Sequence, residues 1–213
     1  MKRRSFLATL AFAGVGLIVP SARAQEKNSP NAMAGRLLKA VSPLGDRSVG
    51  LGNAPVVMVV YGSMTCEHSA EFSQNVWPSL NEKYVAAGKL RMIFRELPLD
   101  NLALSAFTLA RSVPEDKYFA LLDVMWKRQK FWRTSEPKPE LYKIMQLTGM
   151  TAEKFEAVLQ DKDKLTAVYN AGRSAQAEFL IKKTPTIFIN GSLVLGHEDP
   201  AEFIKMIDAA LAA

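Results

Sequence analysis

The chain has 213 residues, 48% of them apolar, with 27 lysines and arginines against 21 acidic residues, a formal net charge of +6 and one cysteine. Four of the basic residues and none of the acidic ones fall in the first 24 positions, so the remainder carries 23 basic against 21 acidic side chains, a net charge of +2. That near-balance removes the charge argument for a nucleic-acid partner, and one cysteine excludes a framework of internal disulfides.

Lys2, Arg3 and Arg4 precede a mostly apolar stretch from Phe6 to Val19, and Ala22-Arg23-Ala24 follows. This is the layout of an export signal over residues 1–24, cut after Ala24, and it places the mature chain in the periplasm. Arg3-Arg4-Ser5-Phe6-Leu7 has the form of a twin-arginine address; an ordinary secretory signal containing two arginines is the other reading. The apolar core is shorter than the roughly 20 residues of a spanning helix, so no membrane span is expected once the signal is removed.

Residues 25–50 read as a polar lead-in with a short helical patch at 33–40, and 43–55 is rich in Gly, Pro and Asn, with room for an edge strand. Val56-Val57-Met58-Val59-Val60-Tyr61 is continuously apolar and mostly β-branched, which predicts a central strand buried on both faces. Phe72, Val76, Leu80 and Tyr84 recur every four residues and mark the apolar face of a helix that Gly88 closes. Pro78 is expected to kink or break it. Leu90 to Leu97 alternates, with Leu90, Met92, Phe94 and Glu96 on one side, and predicts a second strand parallel to the first. Strand, helix and strand with short joins form a βαβ unit.

From about 100 to 180 the pattern is helical throughout, with segments at about 101–112, 115–130, 138–147, 151–160 and 163–180. Gly149 and Thr151 supply a helix stop and an N-cap. The basic, aromatic stretch from Trp126 to Arg133 reads as the wet end of an amphipathic helix. Thr184-Pro185-Thr186-Ile187-Phe188-Ile189, Asn190-Gly191 and Leu193-Val194-Leu195 then spell a hairpin. Asp199-Pro200-Ala201-Glu202 opens a last helix whose Phe203, Ile204, Ile207 and Leu211 face a core.

The chemistry gathers in Met64-Thr65-Cys66-Glu67-His68-Ser69. Here a strand delivers the lone sulfur to the start of a helix, where unsatisfied N–H groups and the positive end of the helix dipole favour a thiolate. His68 can add a hydrogen bond or a positive charge near Cys66, whereas the Glu67 carboxylate acts in the opposite direction. Ser69 stands three residues on, where a C-x-x-C motif would carry its second sulfur. Its hydroxyl can donate a hydrogen bond to the thiolate but cannot attack a mixed disulfide without a base. Cys66 is therefore confined to forming mixed disulfides that an outside thiol must release. With two histidines, His68 and His197, and one cysteine, the spacing suggests neither a metal site nor a cofactor, and nothing near Cys66 in sequence suggests a hydrolase.

Taken in order, these elements and motifs resemble the thioredoxin fold as elaborated in the DsbA-like thiol:disulfide oxidoreductases. The pieces that match are Val56 to Ser69, Phe94-Arg95-Glu96-Leu97-Pro98-Leu99-Asp100, the helical block, and Thr184-Pro185-Thr186 ahead of Asn190-Gly191. The resemblance implies an α/β, thioredoxin-like domain over 51–213 with a helical insertion at about 100–180. It also implies a cis bond between Thr184 and Pro185, packed beside Cys66, whose neighbouring backbone pairs with a bound peptide. Catalytic roles then fall to Cys66, His68 and Ser69, and substrate binding to Thr184 and Pro185. The implied partners are exported cysteine-containing proteins, a small thiol, or a redox partner protein. Two departures stand out, Ser69 for the family's resolving cysteine and Glu67 for its usual proline. They leave a second class of function in view, a redox-inactive peptide-binding or chaperone module on the same fold.

Overall fold

The computed structural model describes residues 29–194, 196 and 198–213. The export signal expected over residues 1–24, and His197, lie outside them. Ser29 caps the first helix, α1 (Pro30–Lys39), accepting a hydrogen bond from the Ala32 amide. The short strand β1 (Arg47–Val49) follows, then β2 (Val56–Gly62). The apolar run of β2 has the explanation its composition implied: Val56, Met58 and Val60 join one core cluster, and Val59 and Tyr61 join another on the opposite face.

After Cys66 the chain is helical to Val85, with α-turns at Glu67–Glu71 and Trp77–Leu80 alternating with wider π-type turns at Phe72–Val76 and Asn81–Val85; this run is α2. Of the kink or break expected at Pro78, the break does not occur; the run continues through it with a change of turn type. Pro78 enters at the first positions of the second α-turn, directly after a π-type turn, and the wider ladder makes room for a ring that would clash with a regular preceding turn. Phe72, Val76, Leu80 and Tyr84 are all buried along one side.

Strand β3 (Leu90–Glu96) runs parallel to β2, from Val56 opposite Leu90 to Gly62 opposite Glu96. Between it and the next strand lie α3 (Asn101–Ala110), α4 (Tyr118–Lys127), α5 (Gln129–Trp132), α6 (Lys138–Gln146), α7 (Ala152–Leu159) and α8 (Lys162–Phe179), and no strand among the described residues.

 The segment patterned as one helix over 115–130 is divided. Glu115–Lys117 makes a 3₁₀ turn, and Arg128 leaves helical geometry (φ −100, ψ 8) between α4 and α5. The Trp132 indole closes that break by donating to the Met125 carbonyl at 2.7 Å. Thr151 caps the helix Ala152–Leu159 through the Lys154 amide, as its position predicts.

Strands β4 (Thr186–Ile189) and β5 (Ser192–Leu193) form the hairpin, with Asn190 and Gly191 both at positive φ (44 and 81), the geometry a two-residue turn between twisted strands needs. The last helix, α9 (Pro200–Leu211), starts from Asp199, which accepts from the Ala201 amide. The sheet order is β1-β3-β2-β4-β5, antiparallel except for the β2–β3 pair. Residues of α2, α9 and the helical insertion fill one face; Leu37 of α1 with Ala175 and Phe179 of α8 cover the other.

A polar cluster is buried at the end of β3. Glu96, at the end of β3, forms an ion pair with Arg111, and both side chains are only 2% exposed. Arg111 also donates to the carbonyls of Leu44 and Gly45, which ties the lead-in to the insertion. The Tyr118 hydroxyl donates to Glu96 at 2.6 Å. Burial, reinforced by the Glu96 charge, holds the Tyr118 phenol well above its ordinary range.

Candidate functional site

Cys66 occupies the N-cap position of α2, in extended geometry (φ −83, ψ 123), and is partly exposed. The sheet explains what it meets there. β2 and β4 are antiparallel neighbours with Tyr61 opposite Thr186, so the loop leaving β2 lies beside the residues entering β4. The Cys66 thiol donates to the Thr184 carbonyl at 3.1 Å, across 118 residues of sequence. The Thr184–Pro185 bond is cis, as the family resemblance implies. The Thr184 hydroxyl is buried and has no hydrogen-bond partner among the described residues.

Ser69 and His68 are placed differently from what the motif suggested. Ser69 is 2% exposed, and its oxygen accepts from the Ser63 amide at 3.2 Å; no hydrogen bond joins it to the sulfur. A helix brings its third residue back over the loop that precedes it, so Ser69 closes the strand-to-helix turn instead of facing Cys66. His68 is exposed and sets Nδ1 3.0 Å from Glu71 Oε2, one turn further along α2. Glu67 is exposed beside it. Pro185 and Ser69 both line a cavity of about 260 Å³ beneath α2, walled by Phe72, Trp77, Phe94 and Trp126.

The loop Ser63–Cys66 is held by side chains that sequence reasoning did not select. Thr65 donates through Oγ1 to Asp100 Oδ2 at 2.7 Å, while Asp100 Oδ1 caps α3 through the Ala103 amide. The Trp126 indole donates to the Ser63 carbonyl at 3.3 Å, and Gln129 Nε2 lies 2.8 Å from the Met64 carbonyl and 3.0 Å from that of Cys66. The one available signal was the stretch Trp126 to Arg133. Its reading as a wet helix end holds for Lys127, Arg128, Lys130, Phe131 and Arg133, which are exposed, and fails for Trp126, Gln129 and Trp132, which are buried.

The fold also gathers a group that spacing did not suggest. His68, Glu71 and Glu198 bring ligand-type atoms within 4.8 Å of one another, although α2 and the approach to α9 are far apart in sequence. This cluster is largely exposed, and side chains of this kind commonly meet at a surface without holding a metal.

A thioredoxin family model matches residues 43–209. A relative from Rickettsia bellii, named a protein-disulfide oxidoreductase, is 30% identical over 184 residues, covering 82% of this chain and 68% of the relative. A similarly named relative from Rickettsia conorii is 31% identical, and the match spans 63% of its length. Among solved structures, Wolbachia pipientis alpha-DsbA1 superposes with a TM-score of 0.76 at 26% identity, covering 84% of this chain and 96% of that one. Bacillus subtilis BdbD shares the fold, with a TM-score of 0.69 at 19% identity over 79% of this chain and 94% of its own. With its α/β sheet, its helical insertion and the match over most of its length, this chain belongs to the thioredoxin family and to the DsbA-like thiol:disulfide oxidoreductases within it.

Proposed function

We propose that this protein is an exported, periplasmic thiol-disulfide exchange protein that works through Cys66 alone. The observation that carries the reading is the sulfur itself: partly exposed, at the start of α2, and 3.1 Å from the carbonyl that precedes Pro185. A thiolate there attacks one sulfur of a substrate disulfide, forming a Cys66–S–S–R bond and expelling the other sulfur as a thiolate. A second cysteine of the substrate, or a small thiol such as glutathione, then attacks the mixed disulfide and returns Cys66 to its starting state. Net charge and redox state balance in each exchange.

The proposed substrates are exported proteins with cysteines, and the backbone around Thr184 and Pro185 is the proposed edge for an extended peptide. Residues 1–24 supply the export address in this reading. No helix among the described residues is long and apolar enough to cross a membrane. His68 is proposed as a modulator of the charge around Cys66. Ser69, whose oxygen is engaged by the Ser63 amide, is proposed to shape the turn and to take no part in releasing substrate.

Nonreducing electrophoresis of a periplasmic extract tests the reading. Adducts that disappear with dithiothreitol, and are absent in Cys66→Ala, are the expected result. Activity or binding unchanged in Cys66→Ala but lost on replacing Pro185 would select the redox-inactive peptide-binding module instead.

A further inference from the structure

Ser63, Met64, Thr65 and Cys66 lie between the end of β2 and the start of α2, outside the sheet ladder, where the Ser63 carbonyl accepts a long bond from the Cys66 amide at 3.3 Å. Each of the four residues is also tied to a side chain from the segment beginning at Asp100. Trp126 holds the Ser63 carbonyl, Asp100 holds the Thr65 hydroxyl, and Gln129 alone holds two, the carbonyls of Met64 and Cys66. The Cys66 carbonyl also accepts the first bond of α2, from the Ala70 amide at 3.3 Å.

Gln129 is suited to this task by its place in the chain. It follows Arg128, where the backbone departs from helical geometry between α4 and α5. Gln129 is 7% exposed, and its amide Nε2 carries two N–H groups for the two carbonyls that flank Thr65. Met64 is fully buried, so water does not replace that bond.

We propose that Gln129 is a positioning residue for Cys66, and that the helical insertion sets the reactivity of the thiol through it. The proposal rests on Cys66 being the reacting sulfur. Gln129 does not touch that sulfur; it fixes the backbone on either side of Thr65 and thereby the direction in which the thiol leaves the start of α2.

The test uses the full mature protein and oxidised glutathione. The reaction read is Cys66–S⁻ plus GSSG giving Cys66–S–SG plus GS⁻, in which one disulfide breaks as another forms. Gln129→Met keeps the length of the side chain and removes both donors. It is expected to slow formation of the mixed disulfide by about tenfold, because small displacements of a reacting group are costly, and to move the equilibrium constant of the exchange as well. Gln129→Asn keeps the donors on a shorter stem. It gives a smaller effect of the same kind, and it carries the test should Gln129→Met not fold.

A variant that loses stability yet keeps the wild-type rate and equilibrium constant would make Gln129 a packing residue and overturn the proposal. If the unmodified protein does not exchange with glutathione at all, it is the proposed function that fails. Alkylation of Cys66 by iodoacetamide then decides the positioning role by itself, since equal rates in wild type and Gln129→Met would sink it.

Discussion

Ser69 shows how one atom changes what the site can do. Its oxygen accepts from the buried Ser63 amide, and Gly62 packs alongside, where an added Cβ would meet the Phe94 ring at 2.8 Å. Ser69→Ala should cost about 1–3 kcal/mol, because it leaves the Ser63 N–H unpaired in a site closed to water. Chemical denaturation measures this, and a change within about 0.5 kcal/mol would show that the amide finds another partner. Ser69→Cys has a different expected outcome, since it creates the C-x-x-C motif and with it an internal attacking thiol. Mixed disulfides trapped on Cys66 should fall, and the oxidised protein should lose both titratable thiols. Adducts that persist at the wild-type level, with both thiols still free, would mean that the turn around Ser63 keeps the two sulfurs apart.

At the scale of elements, the joins are the vulnerable places. Arg111 connects β3 to the lead-in before β1, through Glu96 and the carbonyls of Leu44 and Gly45. Glu96→Gln leaves a buried guanidinium without its counter-charge and is expected to destabilise the protein by about 3–5 kcal/mol. Replacing both members, as Glu96→Gln with Arg111→Met, should cost less than Glu96→Gln alone, and a double-mutant cycle reads the difference. The hairpin between β4 and β5 gives a second case. Gly191 has φ 81, and a Cβ there would run into the Pro30 carbonyl at the start of α1. Gly191→Ala should therefore lower the melting temperature through both backbone strain and displacement of α1. Gly45→Ala, at φ 75 but with open space around it, should lower it through backbone strain alone and so by less.

For the whole molecule, acid is the informative variable. The hydrogen bond from Tyr84 holds the Asp208 carboxyl below its ordinary range, the Arg128 guanidinium does the same for Glu140, and the Lys164 amide does so for Asp161. Carboxyls depressed in the folded state contribute stability above their unfolded value of about 4, and that contribution is lost as pH falls through the lower folded values. Asp208 is exposed and Asp161 and Glu140 are partly exposed, so each effect is modest and weakened by salt. The melting temperature should stay nearly level from about pH 7 to pH 5, fall below about pH 4, and fall less in Asp208→Asn. A melting temperature that held steady down to about pH 3 would remove these carboxyls from the account of stability.

What the sequence determined by itself was the string of elements, because each is written in adjacent residues. The β-branched run from Val56, the caps at Thr151 and Asp199, and the Asn190-Gly191 turn all act over a few positions. It also located the sulfur, since a strand followed by the start of a helix is a local pattern. The width of the helical ladder around Pro78 and the break at Arg128 were not legible, because a proline or an amphipathic period permits more than one way of continuing. The family resemblance implied that Thr184 and Pro185 pack beside Cys66, but tertiary structure alone decided the hydrogen bonds around it. The Thr184 carbonyl arrives from 118 residues away, Gln129 from 63, and the partner of Thr65 from 35. Those distances are closed by the order of strands and the packing of the insertion, and so is the turn of Ser69 toward Ser63. Hydrogen bonds between distant segments depend on where the whole chain places its donors and acceptors, which no local pattern specifies.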